Sequence, residues 1–253
     1  MSSPVVASVA FVCLVAGAAL GMVLGRLLPE AHFSPDSRDV VKVAMGLVAT
    51  MAALVLGLLV ASAKGAFDTQ ESEFREVAAN ILLIDRVLAG YGPETRDVRD
   101  LVRRGTIQRL ATMWPEDAAG FAPSDRPGTT ALVEDVEARI RRLSPQDDEQ
   151  RILQARAVQL AGEVAKTRWP LLGGAGTEIQ TPFLVVVVFW LSALFTSFGL
   201  FAPRNATVVA VLLLAALSVA TAIFLVLELD SPFTGTLKIS RAPLRYTIAH
   251  LGA

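Results

Sequence analysis

Hydrophobic positions along this chain fall into two regimes. Four stretches, Pro4–Leu28, Val40–Ala63, Pro182–Ala202 and Ala206–Leu227, are apolar on every face and nearly free of charge. Each is 21 to 25 residues long, and a helix needs about 20 residues to cross the hydrocarbon core. The helices of a soluble core do not need that length four times over, so the pattern predicts four membrane spans. Between the second and third stretches polar residues return, while apolar ones keep the three- and four-residue spacing of amphipathic helices. Phe74, Val77, Ala78, Ile81 and Leu88 predict one helix, and Val98, Leu101, Val102, Leu110 and Trp114 a second. Leu132, Val136, Ile140 and Leu143 predict a third. Tyr91-Gly92-Pro93 closes the first of these, with Gly beyond its end and Pro opening the next. Residues 115–130 form a Pro- and Gly-rich loop. Ser144-Pro145 reads as the N-cap and first residue of a fourth helix, with Asp147 and Asp148 in its first turn and Trp169-Pro170 at its end.

The expected fold is therefore an all-α membrane protein with a helical domain inserted between spans two and three. Residues 1–63 hold spans one and two, 64–181 the helical domain, 182–229 spans three and four, and 230–253 a turn and a short helix. That last helix starts near Arg241 and carries a Leu244, Ile248, Leu251 stripe. Only Lys64-Gly65-Ala66 separates span two from the first soluble helix, which predicts one long helix running through both. Span one is not expected to be a cleaved signal peptide. Residues 1–25 contain no Lys or Arg, and the apolar stretch exceeds the usual signal core of about 7–15 residues.

Composition agrees with this picture: 53% of the 253 residues are hydrophobic and 19% charged. The net charge of −1 conceals an asymmetry. With four spans, the termini and residues 64–181 share one side, which holds 19 of the 23 Lys and Arg residues. Close to the spans, Lys64, Arg75, Lys238, Arg241 and Arg245 face Arg26, Arg38, Lys42 and Arg204 on the other side. Excess basic residues near span ends mark the cytoplasmic face, so both termini are expected there. Nineteen arginines against four lysines suggest a GC-rich bacterial source and an inner-membrane location.

Candidate chemistry is sparse. His32 and His250 fall on opposite sides of the membrane and have no Cys/His partners, so no metal site is expected. The single cysteine, Cys13, lies inside span one. Nucleophile, zincin and zinc-finger spacings are absent, and Gly173-Gly174-Ala175-Gly176 lacks the Lys-Ser/Thr of a phosphate loop. These features point away from an enzyme and from any cofactor. Asp85-Arg86 and the arginine pairs 103–104 and 141–142 read as solvated faces or local ion pairs, and their alternation with acids argues against nucleic acid. In span one, Gly17, Gly21 and Gly25 form a small-xxx-small stripe that allows close helix packing, within a subunit or between subunits. Spans without charge suit a passive pore with hydrophobic constrictions, or an anchor that conducts nothing.

Several segments carry a family resemblance: FDTQ (67–70), AANILLIDR (78–86), YGPE (91–94), FGLFAPRNA (198–206) and ELDSPFTG (228–235). With the four-span layout, they make the chain similar to the bacterial bestrophin-like membrane proteins and, more distantly, to the bestrophin ion channels. Bestrophins have an N/D-P-F-G motif after span four; here Asp230, Pro232 and Phe233 match, and Thr234 displaces Gly235 by one place. The resemblance implies an oligomeric channel, a pentamer in bestrophins, whose partners are the lipid bilayer, inorganic ions and further copies of the chain. It also implies that span two lines the pore, where Met51, Val55 and Leu59 are candidates for the apolar lining. Animal bestrophins continue with a run of acids that binds calcium. This chain continues Thr236-Leu237-Lys238-Ile239, so calcium gating is not expected.

ELDSPFTG leaves two readings open. Glu228 and Asp230 either form an acidic ring at the cytoplasmic mouth, or pair locally at a capped helix end, with Pro232 and Gly235 turning the chain and Phe233 anchoring it. At the level of function, the alternative to an ion channel is a non-conducting scaffold or sensor whose helical domain recruits a cytoplasmic partner.

Overall fold

The computed structural model describes residues 2–29, 34–114, 132–172, 181–203, 205–230, 232 and 235–252, with the backbone alone at 112, 132–134, 168–172 and 181. The loop expected at 115–130 and the glycine run at 173–176 lie outside the described residues. Among those described, the regular structure is entirely helical: α1 (Ser3–Leu27), α2 (Pro35–Tyr91), a 3-10 turn (Pro93–Thr95), α3 (Arg96–Met113), α4 (Leu132–Arg141), α5 (Asp148–Leu172), α6 (Thr181–Phe201), α7 (Ala206–Leu229) and α8 (Ala242–His250). Four helices, α1, α2, α6 and α7, are long and apolar enough to cross a membrane. The chain divides into two compact units, Met1–Phe67 with Gly176–Leu237 and Asp68–Ala175 with Lys238–Ala253.

In the first unit the helix ends follow local chemistry. Pro35 opens α2 behind Ser34, whose Oγ accepts the Ser37 N–H at 3.3 Å. Pro203 ends α6, and Asn205 caps α7 by accepting the Val208 N–H at 2.8 Å, which satisfies one of the first-turn donors. Leu14, Ala18, Phe195 and Ala216 form the buried centre, flanked by Phe11, Val15, Leu191, Leu212 and Val219. Helix α1 packs on α6 and α7 there. A second cluster joins Leu59, Val60, Ala63 and Phe67 of α2 to Val226 and Leu229 of α7.

The expected long helix is present: α2 runs for 57 residues through Lys64-Gly65-Ala66 without a break. In the second unit its stripe of Phe74, Val77, Ala78, Ile81 and Leu88 is buried, as are Val98, Leu101, Val102, Leu110 and Trp114 of α3. Phe74 and Trp114 meet edge to face with centroids 5.5 Å apart. Helix α4 packs on α3 and α5 through buried Val136 and Ile140, and α8 packs on α3. Helix α2 stops at Tyr91 because Gly92 takes φ +141°, a backbone conformation that costs a side-chain-bearing residue dearly. The start of α5 departs from expectation. Asp147, not Ser144, provides the cap, its Oδ1 accepting the Gln150 N–H at 2.7 Å, and residues 143–146 are non-helical. An Asp followed three residues on by Gln is the stronger start signal. Helix α5 also runs two residues past Pro170, to Leu172.

Candidate functional site

Helix α2 is the least covered of the four apolar helices. Within its most hydrophobic 18-residue window only 6% of residues are buried, against 33% for α1, 22% for α6 and 17% for α7. Val40, Val43, Leu47, Met51, Leu54 and Leu58 are all exposed large apolar residues. Their three- and four-residue spacing places them along one face. Of the residues singled out in the sequence, Met51 lies on this stripe, 47% exposed. Val55 is half-buried, and Leu59 packs with Ala63, Val226 and Leu229 inside the subunit. A helix apolar on all sides has no moment to mark which face is free, and the i, i+4, i+8 set Met51, Val55, Leu59 runs from the exposed face round to the packed one.

The end of α7 is built around Glu228. Its carboxylate is buried, with the residue 3% exposed. Oε2 accepts the backbone N–H of Thr236 in a short contact and that of Leu237 at 3.4 Å, and the Ser3 hydroxyl also hydrogen-bonds the carboxylate. One side chain thereby holds the start of α1, the end of α7 and the turn behind it. Backbone and hydroxyl donors to an ionised oxygen are strong hydrogen bonds and offset the cost of removing the charge from water. Asp230 closes α7, its N–H returning to Val226 O at 3.2 Å. Pro232 is buried and Gly235 half-buried, while Phe233 lies outside the described residues. Ser3, Thr236 and Leu237 were not anticipated as partners. The signal was present in outline, since an acid at the end of an apolar helix requires donors and the next nine residues bring back two of them.

The glycine stripe is placed against α6. A Cβ on Gly17 would lie 2.8 Å from Ser192 O, and one on Gly21 only 2.0 Å from Thr196 O. Gly199, which the sequence did not single out, faces back, with Ala18 O 2.1 Å from a built Cβ. Gly25 is half-buried.

In the second unit Asp85 takes the ion-pair reading, with its partner on the next helix. Asp85 is not on a solvated face; it is 1% exposed and held by Arg99 through Nε–Oδ1 at 2.7 Å and Nη2–Oδ2 at 3.0 Å. That carboxylate raises the Arg99 pKa further above its ordinary value. Oδ2 also accepts the Gly252 N–H at 3.2 Å, and Thr247 Oγ1 donates to Ala78 O at 3.0 Å. Asn80 reaches Glu163 at 3.4 Å. The AANILLIDR segment is therefore where α2 receives α3, α5 and the C-terminal residues. Arg86, Arg103, Arg104, Arg141 and Arg142 are exposed, as expected.

His250 stacks on Tyr246 with centroids 4.1 Å apart, and His32 lies outside the described residues. Among the described residues no group of three or more His, Cys, Asp or Glu is placed to hold a metal.

Comparison with known proteins adds the family. Residues 12–244 match the model of the bestrophin-like domain. Among solved structures, a membrane protein carrying a single substitution superimposes with a TM-score of 0.65 at 12% identity, covering 97% of this chain and 96% of the other. A point-mutated bacterial bestrophin homolog from Klebsiella pneumoniae gives 0.62 at 14% identity, with 96% of both chains covered. At such identities the likeness is one of fold. No curated protein matches the chain. The match over residues 12–244 takes in most of α1, the other three apolar helices and every motif quoted above, and the chain belongs to the bestrophin-like domain family.

Proposed function

We propose that the protein is an ion channel of the bacterial inner membrane, assembled from several copies of the chain around a central pore lined by α2. Family membership motivates the class. The observation that carries the reading is the bare apolar face of α2, 6% buried in its spanning window, which a single chain leaves for other copies and for the pore. In this reading Leu47, Met51, Leu54 and Leu58 face the conduction path, where a ring of large apolar side chains gates by wetting and dewetting. Residues 1–63 and 182–229 form the spans, 64–181 a cytoplasmic helical domain and 230–253 its C-terminal extension. Both termini are cytoplasmic by the distribution of basic residues near the spans, and the assembly is a pentamer by analogy with bestrophins. Glu228 has its acceptor oxygen occupied within the subunit, which supports a structural post-span turn over an acidic ring at the mouth. The protein is not read as an enzyme, and no step requires a cofactor.

Planar-bilayer recording of purified oligomer tests the reading. Single-channel currents are the expected result. A well-folded oligomer that is electrically silent overturns it in favour of the scaffold, in which the long α2 helix serves to hold the helical domain for a partner.

A further inference from the structure

Between α2, α6 and α7 lies an open cavity of about 530 Å³, within the roughly 300–1,000 Å³ range of small-molecule sites. Met45 and Gly46 of α2, Phe198 and Phe201 of α6, and Val211 of α7 are among its walls, and Lys42 joins them. A Cβ built on Gly46 meets nothing within 4 Å, so the missing side chain is itself part of the void. By the helical repeat, this face of α2 is roughly 150° from the exposed stripe of Leu47, Met51 and Leu54. The cavity and the proposed pore therefore use opposite sides of one helix.

The lining is mostly hydrocarbon; Ser197 and Thr207 add two hydroxyls, and Lys42 brings the cation. Its ammonium has Asp39 at 3.1 Å, with side chains 66% and 74% exposed, and an exposed pair of this kind is worth little. Arg38 stands one turn earlier on the same face of α2, also exposed. An apolar slot ending in basic residues near a helix terminus is complementary to one class of molecule, an amphiphile with an anionic head. Basic pockets between spanning helices recognise lipid headgroups on this principle.

We propose that the cavity holds an acyl chain of an anionic phospholipid whose phosphate rests on Lys42. Such a lipid backs the pore-lining helix and fills the gap that Gly46 leaves. The inference rests on α2, α6 and α7 spanning a membrane, and not on conduction, so a silent oligomer that retains the lipid leaves it standing.

The test reconstitutes the full chain in mixed phosphatidylcholine and phosphatidylglycerol, then counts retained lipids by native mass spectrometry. Phosphatidylglycerol is expected to be enriched about fivefold, the factor a single basic residue at a membrane surface supplies. Lys42→Gln abolishes the enrichment, Gly46→Leu lowers retention of both lipids, and Lys64→Gln leaves the pattern unchanged. Gel filtration checks that each variant is folded; if Gly46→Leu is not, Lys42→Gln decides the matter alone. Equal retention of the two lipids, or an enrichment that survives Lys42→Gln, overturns the proposal. So does a Gly46→Leu protein with altered subunit number and unaltered lipid, which would assign the cavity to a second copy of the chain.

Discussion

Arg99 of α3 clamps Asp85 of α2 with two parallel hydrogen bonds, 2.7 and 3.0 Å long, around a carboxylate that is 1% exposed. Removing the cation leaves a buried charge with the Gly252 N–H alone among these donors. Arg99→Ala is expected to destabilise the helical unit by about 3 kcal/mol, the usual cost of breaking a buried pair from one side. Arg99→Lys keeps the charge and loses the planar fork, so its effect should be smaller but clear. Denaturant unfolding in detergent, followed by circular dichroism, measures both. A loss below about 0.5 kcal/mol for Arg99→Ala would place the pair with ordinary surface ion pairs.

Tyr91 points the other way. Its hydroxyl is buried and has no hydrogen-bond partner among the described residues, and burial, then the charges of Glu94 and Asp147, raise its pKa above 10.0. Because the folded state favours the neutral phenol, this contribution to stability is complete below pH 10 and is lost as pH rises through the raised folded value. Tyr91→Phe removes an unsatisfied polar atom, so it should stabilise by about 1 kcal/mol and flatten the alkaline limb of a melting-temperature profile. A destabilised variant would reveal a partner for the hydroxyl.

Gly21 and Gly65 separate close packing from mere tolerance. A methyl group at Gly21 would sit 2.0 Å from the Thr196 carbonyl oxygen, which is backbone and cannot swing aside, whereas a methyl at Gly65 would meet nothing within 4 Å among the described residues. Gly21→Ala should cost about 1–3 kcal/mol by forcing α1 from α6. Gly65→Ala, inside the continuous α2, should be neutral or stabilising by up to about 1 kcal/mol. Thermal unfolding of the two variants side by side checks the contrast.

Glu228→Gln tests what the carboxylate does. The amide keeps one acceptor oxygen but cannot reproduce a full negative charge facing the Thr236 and Leu237 N–H groups, so stability should fall by about 1–3 kcal/mol. Reversal potentials in a salt gradient should stay where they are, because the side chain is engaged inside its own subunit. A shift in reversal potential would restore the acidic-mouth reading.

Leu54 and Leu59 are five residues apart on α2 with different surroundings, 75% exposed and packed against Val226 respectively. Leu54→Asn should wet an apolar constriction and raise single-channel conductance severalfold, with little change in stability. Leu59→Ala should lower stability by about 2 kcal/mol through the cavity it leaves while conductance holds. The reverse pattern in bilayer recordings would move the pore to the Met51, Val55, Leu59 face.

The sequence alone determined the four apolar helices, because spanning length is a property of composition and needs no tertiary contact. It also determined the amphipathic stripes of α2 and α3, which periodicity records directly, and the stop at Tyr91, which Gly92 enforces locally. Only the tertiary structure decided which face of α2 is bare, since a helix apolar all round carries no periodicity to read. It likewise decided that Asp85 is buried, through a partner 14 residues away and a backbone N–H 167 residues away, and that residues 238–253 join the unit of 68–175. Glu228 stands between the two cases. Its position at the end of α7 was legible, but whether it met water, an arginine or backbone N–H groups depended on where the chain returned. The donors that hold it belong to Ser3, Thr236 and Leu237, which only the fold brings to one point.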